Sequence, residues 1–173
     1  MSYQIGPGIA PDKLPAWLKI AAKKWGVFSD GRVDYTRAKT APIIMCTIYL
    51  SGKILLVKRG YGLADAEGYW STVNGFIDEI KPIEQQAVQE VAEELQLEIK
   101  PSVVRVAKSY TLKNPKEKRA YIVFACLVQL DELPKIVLNS ENTDFRWIDR
   151  SKLENFHILD DLPEAVDRAL KLL

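Results

Sequence analysis

Three carboxylates crowd one stretch of the chain: Glu90, Glu93 and Glu94 in Ala87-Val88-Gln89-Glu90-Val91-Ala92-Glu93-Glu94-Leu95. Separations of three and four residues put all three on one helical face. Like charges so placed repel by about 0.2–0.5 kcal/mol per pair. A run selected for stability alone would interleave lysines. The cluster therefore calls for a cation absent from the sequence, and carboxylate oxygens suit a hard divalent ion such as Mg²⁺ or Mn²⁺.

The elements that must position these groups can be read around them. Pro82 suits the first turn of the acidic helix, which would bury Ile83, Ala87, Val91 and Leu95. Upstream, Ile43–Leu50 and Lys53–Lys58 read as strands joined by the hairpin signal Ser51-Gly52. Tyr69–Ile77 reads as a short strand broken at Asn74-Gly75. Downstream, β segments are expected near 98–112, 120–130 and 145–148, the first two joined by the turn-rich Asn114–Lys118. An amphipathic helix closes the chain from about Asp160. Hairpins interleaved with helices argue for an α/β fold with a mixed sheet rather than a doubly wound parallel one.

The first 39 residues read as an N-terminal extension. Residues 1–11, with Gly6, Pro7, Gly8 and Pro11, are expected to be irregular. Leu14, Trp17, Leu18, Ala21 and Trp25 then recur at helical spacing, with Asp12 able to cap the start and Gly26 the end. This helix is expected outside the catalytic core, packed on the domain or making a homodimer contact.

Composition narrows the rest. A 173-residue chain that is 47% hydrophobic and 27% charged can bury one core, and a net charge of +1 gives no general affinity for nucleic acid or membrane. Charge is uneven, however. Residues 78–98 hold seven acids against Lys81 alone, and 105–119 hold six bases against Glu117. The basic run fits a solvated hairpin tip as well as a phosphate site. Cys46 and Cys126, in apolar runs, read as buried hydrophobes. No apolar stretch reaches the roughly 18 residues of a membrane span and no signal-peptide core is present, so a cytoplasmic location is expected.

Residues 70–97 resemble the signature box of the Nudix hydrolases, G-x5-E-x7-R-E-U-x-E-E-x-G-U with U aliphatic. Anchored on Gly75, the chain keeps Glu90, Val91, Glu93, Glu94 and Leu97 in register. Lys81 stands for the first Glu, Gln89 for the Arg, Gln96 for the last Gly, and Val73-Asn74 where P-G is usual. Ile54–Arg59 looks like the strand ahead of the box, and Glu141–Ile148 like the late acidic loop running into a Trp-bearing strand. The resemblance covers roughly residues 40–173. It implies a Nudix-type α/β/α sandwich with a mixed β-sheet over 40–173, and an N-terminal helical extension over 1–39. The altered Glu and Arg commonly pair in the family, and losing both leaves no unpaired buried charge. Gln96 fits poorly if the helix end needs a positive φ.

The resemblance further implies metal-assisted hydrolysis of a nucleoside diphosphate linked to another group. Glu90, Glu93 and Glu94 are then the metal ligands, with a backbone carbonyl at Asn74 or Gly75 completing the shell. The general base is a box glutamate or Glu141, whose plain alternative is a solvated loop acid. Arg59 and Lys81 are phosphate-contact candidates; a strand-end charge and relief of the acidic crowd are the respective alternatives. Phe76, Tyr61, Tyr69 and Tyr110 could stack on a base, but residues of these types are more often packing residues; Trp70 and Trp147 read as core, and His157 as a surface or packing residue. Two other functions compete. A nucleotide-binding module without catalysis need not keep three repelling glutamates, and a prenyl diphosphate isomerase would want an accessible cysteine. Specificity should lie in loops 60–68, 113–119 and 139–144.

Overall fold

The computed structural model describes residues 4–60, 66–114 and 118–173. Residues 61–65, with Tyr61, and 115–117 lie outside them. The chain runs β1 (Gln4–Pro7), α1 (Leu14–Trp25), β2 (Thr40–Leu50), β3 (Lys53–Arg59), β4 (Trp70–Ser71), β5 (Val73–Phe76) and α2 (Ile83–Leu95). It continues through β6 (Val104–Val106), β7 (Tyr110–Asn114), β8 (Arg119–Gln129), β9 (Asn142–Asp149) and α3 (Leu162–Leu170). One sheet orders the strands β1-β7-β8-β2-β3-β4, with β5 against β2, β6 against β8 and β9 against β3.

The two longest strands, β2 and β8, run parallel in a register that sets Cys46 beside Cys126; the other pairings are antiparallel. Period-two alternation splits each central strand between two faces. Ile44, Cys46, Ile48, Phe124 and Val128 pack with Leu18 of α1 and Ala87 and Val91 of α2. Met45, Leu56, Val123 and Ala125 pack with Leu162, Ala165 and Val166 of α3. Both sheet faces are therefore covered by helices, the α/β sandwich expected from the sequence.

Several local expectations change. The amino-terminal residues are not all irregular: Gln4–Pro7 pairs antiparallel with β7, Gln4 opposite Lys113 and Pro7 opposite Tyr110. The edge tolerates Pro7, and Gly8 follows where a Cβ would overlap Ser109. Asp12 does not cap α1. A 3₁₀ turn over Pro11–Lys13 leads in, and the cap position, Lys13, makes no side-chain bond. Gly26 does end the helix, at φ 91°. The break in the Tyr69–Ile77 stretch falls at Thr72, so Asn74 and Gly75 lie inside β5. The segment near 98–112 is a 3₁₀ turn at Pro101–Val103, then β6 and the start of β7.

Helix α1 buries Leu14, Leu18 and Ala21 in the same cluster as Val73, Ile77 and Ile83, and Val33 and Tyr35 join them. The N-terminal segment thus shares the core that carries α2. Leu18 is wholly buried, and Leu18→Ala is expected to lower unfolding stability by about 2–5 kcal/mol. Urea denaturation with a loss under a few tenths of a kcal/mol would mean that α1 is a detachable appendage.

Candidate active site

Helix α2 starts at Pro82, whose carbonyl accepts the amides of Gln85 and Gln86. Its apolar stripe, Ile83, Ala87, Val91 and Leu95, faces the sheet. It ends at Gln96 in the left-handed region, φ 49° and ψ 35°, which costs a residue with a Cβ about 1–2 kcal/mol. The positive φ is where the box expects glycine.

The glutamates meet different surroundings. Glu94 is buried; its Oε1 accepts the Asn74 N–H at 3.0 Å and its Oε2 the Asn142 Nδ2 at 2.8 Å. Burial still pushes its carboxyl up to about 7, against those two hydrogen bonds. Glu90 is partly buried and lies on the Cα of Gly75, where a Cβ would overlap its carboxylate. Burial, then the charges of Glu94 and Glu93, push the Glu90 carboxyl up to about 8. Glu93 is exposed and accepts Gln89 Nε2 at 2.8 Å.

Lys81 and Gln89 meet as their box positions suggested: Lys81 Nζ donates to Gln89 Oε1. Lys81 also pairs with Glu79 at 3.2 Å, and Gln89 Nε2 lies 3.2 Å from the other Glu79 oxygen. Glu79 thus supplies an acid two residues ahead of the position where the box has one.

A cavity of about 730 Å³ opens beside α2 and gathers Glu90, Glu93, Gly75 and Asn74 with Arg59, Phe76 and Glu141. Glu94 and Lys81 are not in its lining; Glu94 lies behind it and Lys81 is engaged by Glu79 and Gln89. The Asn74 side chain turns back onto Ser71 Oγ and the Thr72 carbonyl, leaving its backbone to face α2. Glu141 is carried on a strapped loop. Its carbonyl accepts the Gly60 amide at 2.7 Å, its amide donates to Asn139 Oδ1, and the Asn139 amide donates to the Glu94 carbonyl.

Among the described residues, no three His, Cys, Asp or Glu side chains already converge as a metal centre. The donor set nevertheless fits a hard divalent cation: the carboxylates of Glu94 and Glu93 raise the proton affinity of Glu90, and a divalent charge beside them would reverse that effect. Packing roles hold for Tyr110, fully buried, for Trp70, edge-on to Phe156, and for Tyr69 against His157. Cys46 and Cys126 are fully buried.

Asn142 was not singled out in the sequence, although it adjoins Glu141. Neither were Asp30, Arg32 and Asp78, which also line the cavity. The only local signal for Asp30 and Arg32 is the turn at Ser29-Asp30-Gly31, whereas Asp78 stands at the start of the acidic run 78–98.

A family model described as the NUDIX domain matches residues 39–170. Among solved structures, the MutT protein from Methanosarcina mazei Go1 is similar at TM-score 0.62 and 17% identity, over 75% of this chain and 94% of that one. The NUDIX domain of Shewanella oneidensis NrtR, complexed with ADP ribose, gives 0.64 at 15%, over 77% and 88%. A bifunctional NMN adenylyltransferase/ADP ribose pyrophosphatase from Francisella tularensis, complexed with AMP and a Mn ion, gives 0.65 at 16%, over 94% of this chain and 47% of that one. At these identities the likenesses show the fold alone. No curated protein matches the sequence.

Two outcomes follow from the geometry. Glu90 and Glu94 hold protons in the folded protein that the unfolded chain, with carboxyls near 4.5, releases. The stability that these two groups contribute without metal is thus full below about pH 4.5 and is lost as pH rises through about 7 and 8. Melting curves should show this fall, and Glu90→Gln should flatten it; a wild-type curve flat across that window would refute the crowding. Gly75→Ala should displace only the mobile end of Glu90, leaving the fold intact but weakening Mn²⁺ binding at least about tenfold, as read by titration of the ion's paramagnetic signal.

Proposed function

The chain belongs to the NUDIX family, and we propose that it is a divalent-metal-dependent hydrolase cleaving a pyrophosphate bond in a nucleoside diphosphate derivative. The observation that carries this reading is the retained carboxylate pair, Glu90 and Glu93, set in one cavity with Gly75, Arg59 and Glu141. A binding module has no need of such a repelling cluster.

In this reading Glu90 and Glu93 would hold the cation with the Gly75 backbone, and Glu94, fixed by Asn74 and Asn142, would support them. The cation, when bound, screens phosphate oxygens and makes water easier to deprotonate. Arg59 meets a phosphate from the cavity wall. Glu141, held by Gly60 and Asn139, takes the proton from the attacking water, with Glu90 as the alternative base. Substrates of the ADP-ribose or nucleotide-sugar type fit this reading, as does the ADP ribose bound by the Shewanella domain. Lys81 serves the acidic helix rather than the substrate.

The second reading, a nucleotide-binding module, is favoured by the altered box and by the strained Gln96. The isomerase reading loses its cysteine, since both thiols are wholly buried.

A panel of nucleoside triphosphates, nucleotide sugars, ADP-ribose and dinucleoside polyphosphates, incubated with Mg²⁺ or Mn²⁺, should reveal nucleotide release. Glu93→Gln should lower kcat by at least about tenfold, as should Glu94→Gln. Undiminished turnover in both variants would sink the site assignment, and tight nucleotide binding without turnover would establish the module.

A further inference from the structure

The cavity has apolar walls that pyrophosphate chemistry leaves unexplained. Ile43, Phe76, Leu112 and Tyr121 line it together. Sheet register makes them one patch: Phe76 lies opposite Ile43, Leu112 opposite Tyr121, and β2 and β8 are adjacent. The Phe76 and Tyr121 rings are 6.5 Å apart, and Phe76 remains 44% exposed. Arg119, which is not in the lining, backs both rings with its guanidinium 5.4 Å from Phe76 and 5.5 Å from Tyr121.

The N-terminal segment fixes this wall. Tyr35 packs on Phe76 at 6.0 Å, its hydroxyl donates to the Ile77 carbonyl at 2.8 Å, and its carbonyl accepts Arg119 at 3.0 Å. The Val33 amide donates to the Asp78 carbonyl at 2.8 Å. Arg32 then stands between Asp30 at 2.8 Å and Asp78 at 3.6 Å, and all three reach the cavity.

We propose that this wall is the subsite for the ring system of the substrate: Phe76 and Tyr121 stack a planar heteroaromatic base, and the Asp30–Arg32–Asp78 rim meets its polar edge. The proposal rests on the nucleotide reading of the same cavity. Phosphate would find poor complementarity, because the nearby Arg32 charge is already matched by two carboxylates. Sugar hydroxyls gain nothing from exposed apolar faces, whereas a flat ring with polar edges satisfies both parts. An N-terminal segment outside the catalytic core by sequence thereby becomes a specificity element.

The test compares α,β-methylene-ADP with methylenediphosphonate, which lacks the nucleoside, by calorimetry on the full chain with Mg²⁺. The nucleotide should bind at least about tenfold tighter. Phe76→Ala and Tyr121→Ala should each weaken it about five- to a hundredfold while leaving the diphosphonate unchanged, and Tyr121→Phe should restore it. Arg32→Ala should change the ratio of affinities between the α,β-methylene forms of ADP and UDP. Equal binding of the two diphosphates by the wild-type protein, or equal losses for both in the alanine variants, would overturn the subsite. Nucleoside-dependent binding without turnover in the substrate panel would leave the subsite standing and remove the hydrolase reading; turnover without nucleoside-dependent binding would do the reverse.

Discussion

Helix α2 sets its acidic face against β5: the Glu90 carboxylate lies on the bare Cα of Gly75, and Glu94 takes the Asn74 N–H. This contact should be costly, since it withdraws two carboxylates from water beside a third. What offsets it is the opposite stripe of the same helix. Ile83, Ala87, Val91 and Leu95 are almost wholly buried, and each buried large aliphatic among them contributes about 1.5–3 kcal/mol, while proton uptake at Glu90 and Glu94 relieves the cost of desolvating their charges. The apolar face can therefore hold the acidic face in place, and the remaining strain emerges as raised proton affinity at Glu90 and Glu94. Gly75 is indispensable to this arrangement because a side chain there would occupy the space of the carboxylate.

The departures from the family box fall on the periphery of that contact. Where a Glu–Arg pair is usual, Gln89 now joins three groups: its carbonyl accepts Lys81, and its amide nitrogen lies within reach of Glu79 and Glu93. A neutral amide can serve both ends because it carries a donor and an acceptor. The charge relationship is also preserved, since Lys81 brings a cation and Glu79 the matching acid. Glu93 keeps an orienting hydrogen bond although the arginine is gone. The substitutions therefore alter how the carboxylates are aimed without removing any of the three.

What the sequence revealed was local. The apolar runs Ile43–Leu50 and Lys53–Lys58, the Ser51-Gly52 turn and the register of Gly75 against Glu90 and Glu93 all act over short stretches, so pattern exposed them. The acidic helix and the mixed sheet followed, and the box register marked Gln96 as a poor fit should the helix end need a positive φ, which it does. What escaped notice depends on partners far along the chain. β1 was hidden by its glycine and its proline and is a strand only because β7 lies alongside. Asn142 is an ordinary loop residue until folding brings it to Glu94, 48 positions away. Asp30 and Arg32 resemble any surface turn until Val33 binds Asp78. The break at Thr72 was misplaced because Asn-Gly usually signals a turn, whereas here its small residues admit α2.

The segment from Ile77 to Glu79 links these two classes of feature. The Ile77 amide donates to the Pro42 carbonyl and its own carbonyl accepts Tyr35; the Asp78 carbonyl accepts Val33, and the Glu79 carbonyl accepts Gln86 Nε2 at 2.7 Å. Backbone groups that neither β5 nor α2 can use are thus taken by β2, the N-terminal segment and the acidic helix itself. Such a linker is held from three sides at once. Immediately before it stand Gly75, beneath Glu90, and Phe76, in the cavity. Any displacement of the N-terminal segment would consequently be felt at both the carboxylates and the aromatic wall. The common α1–α2 core makes that displacement costly, so a fixed distance between the acidic centre and the ring surface is built into the fold.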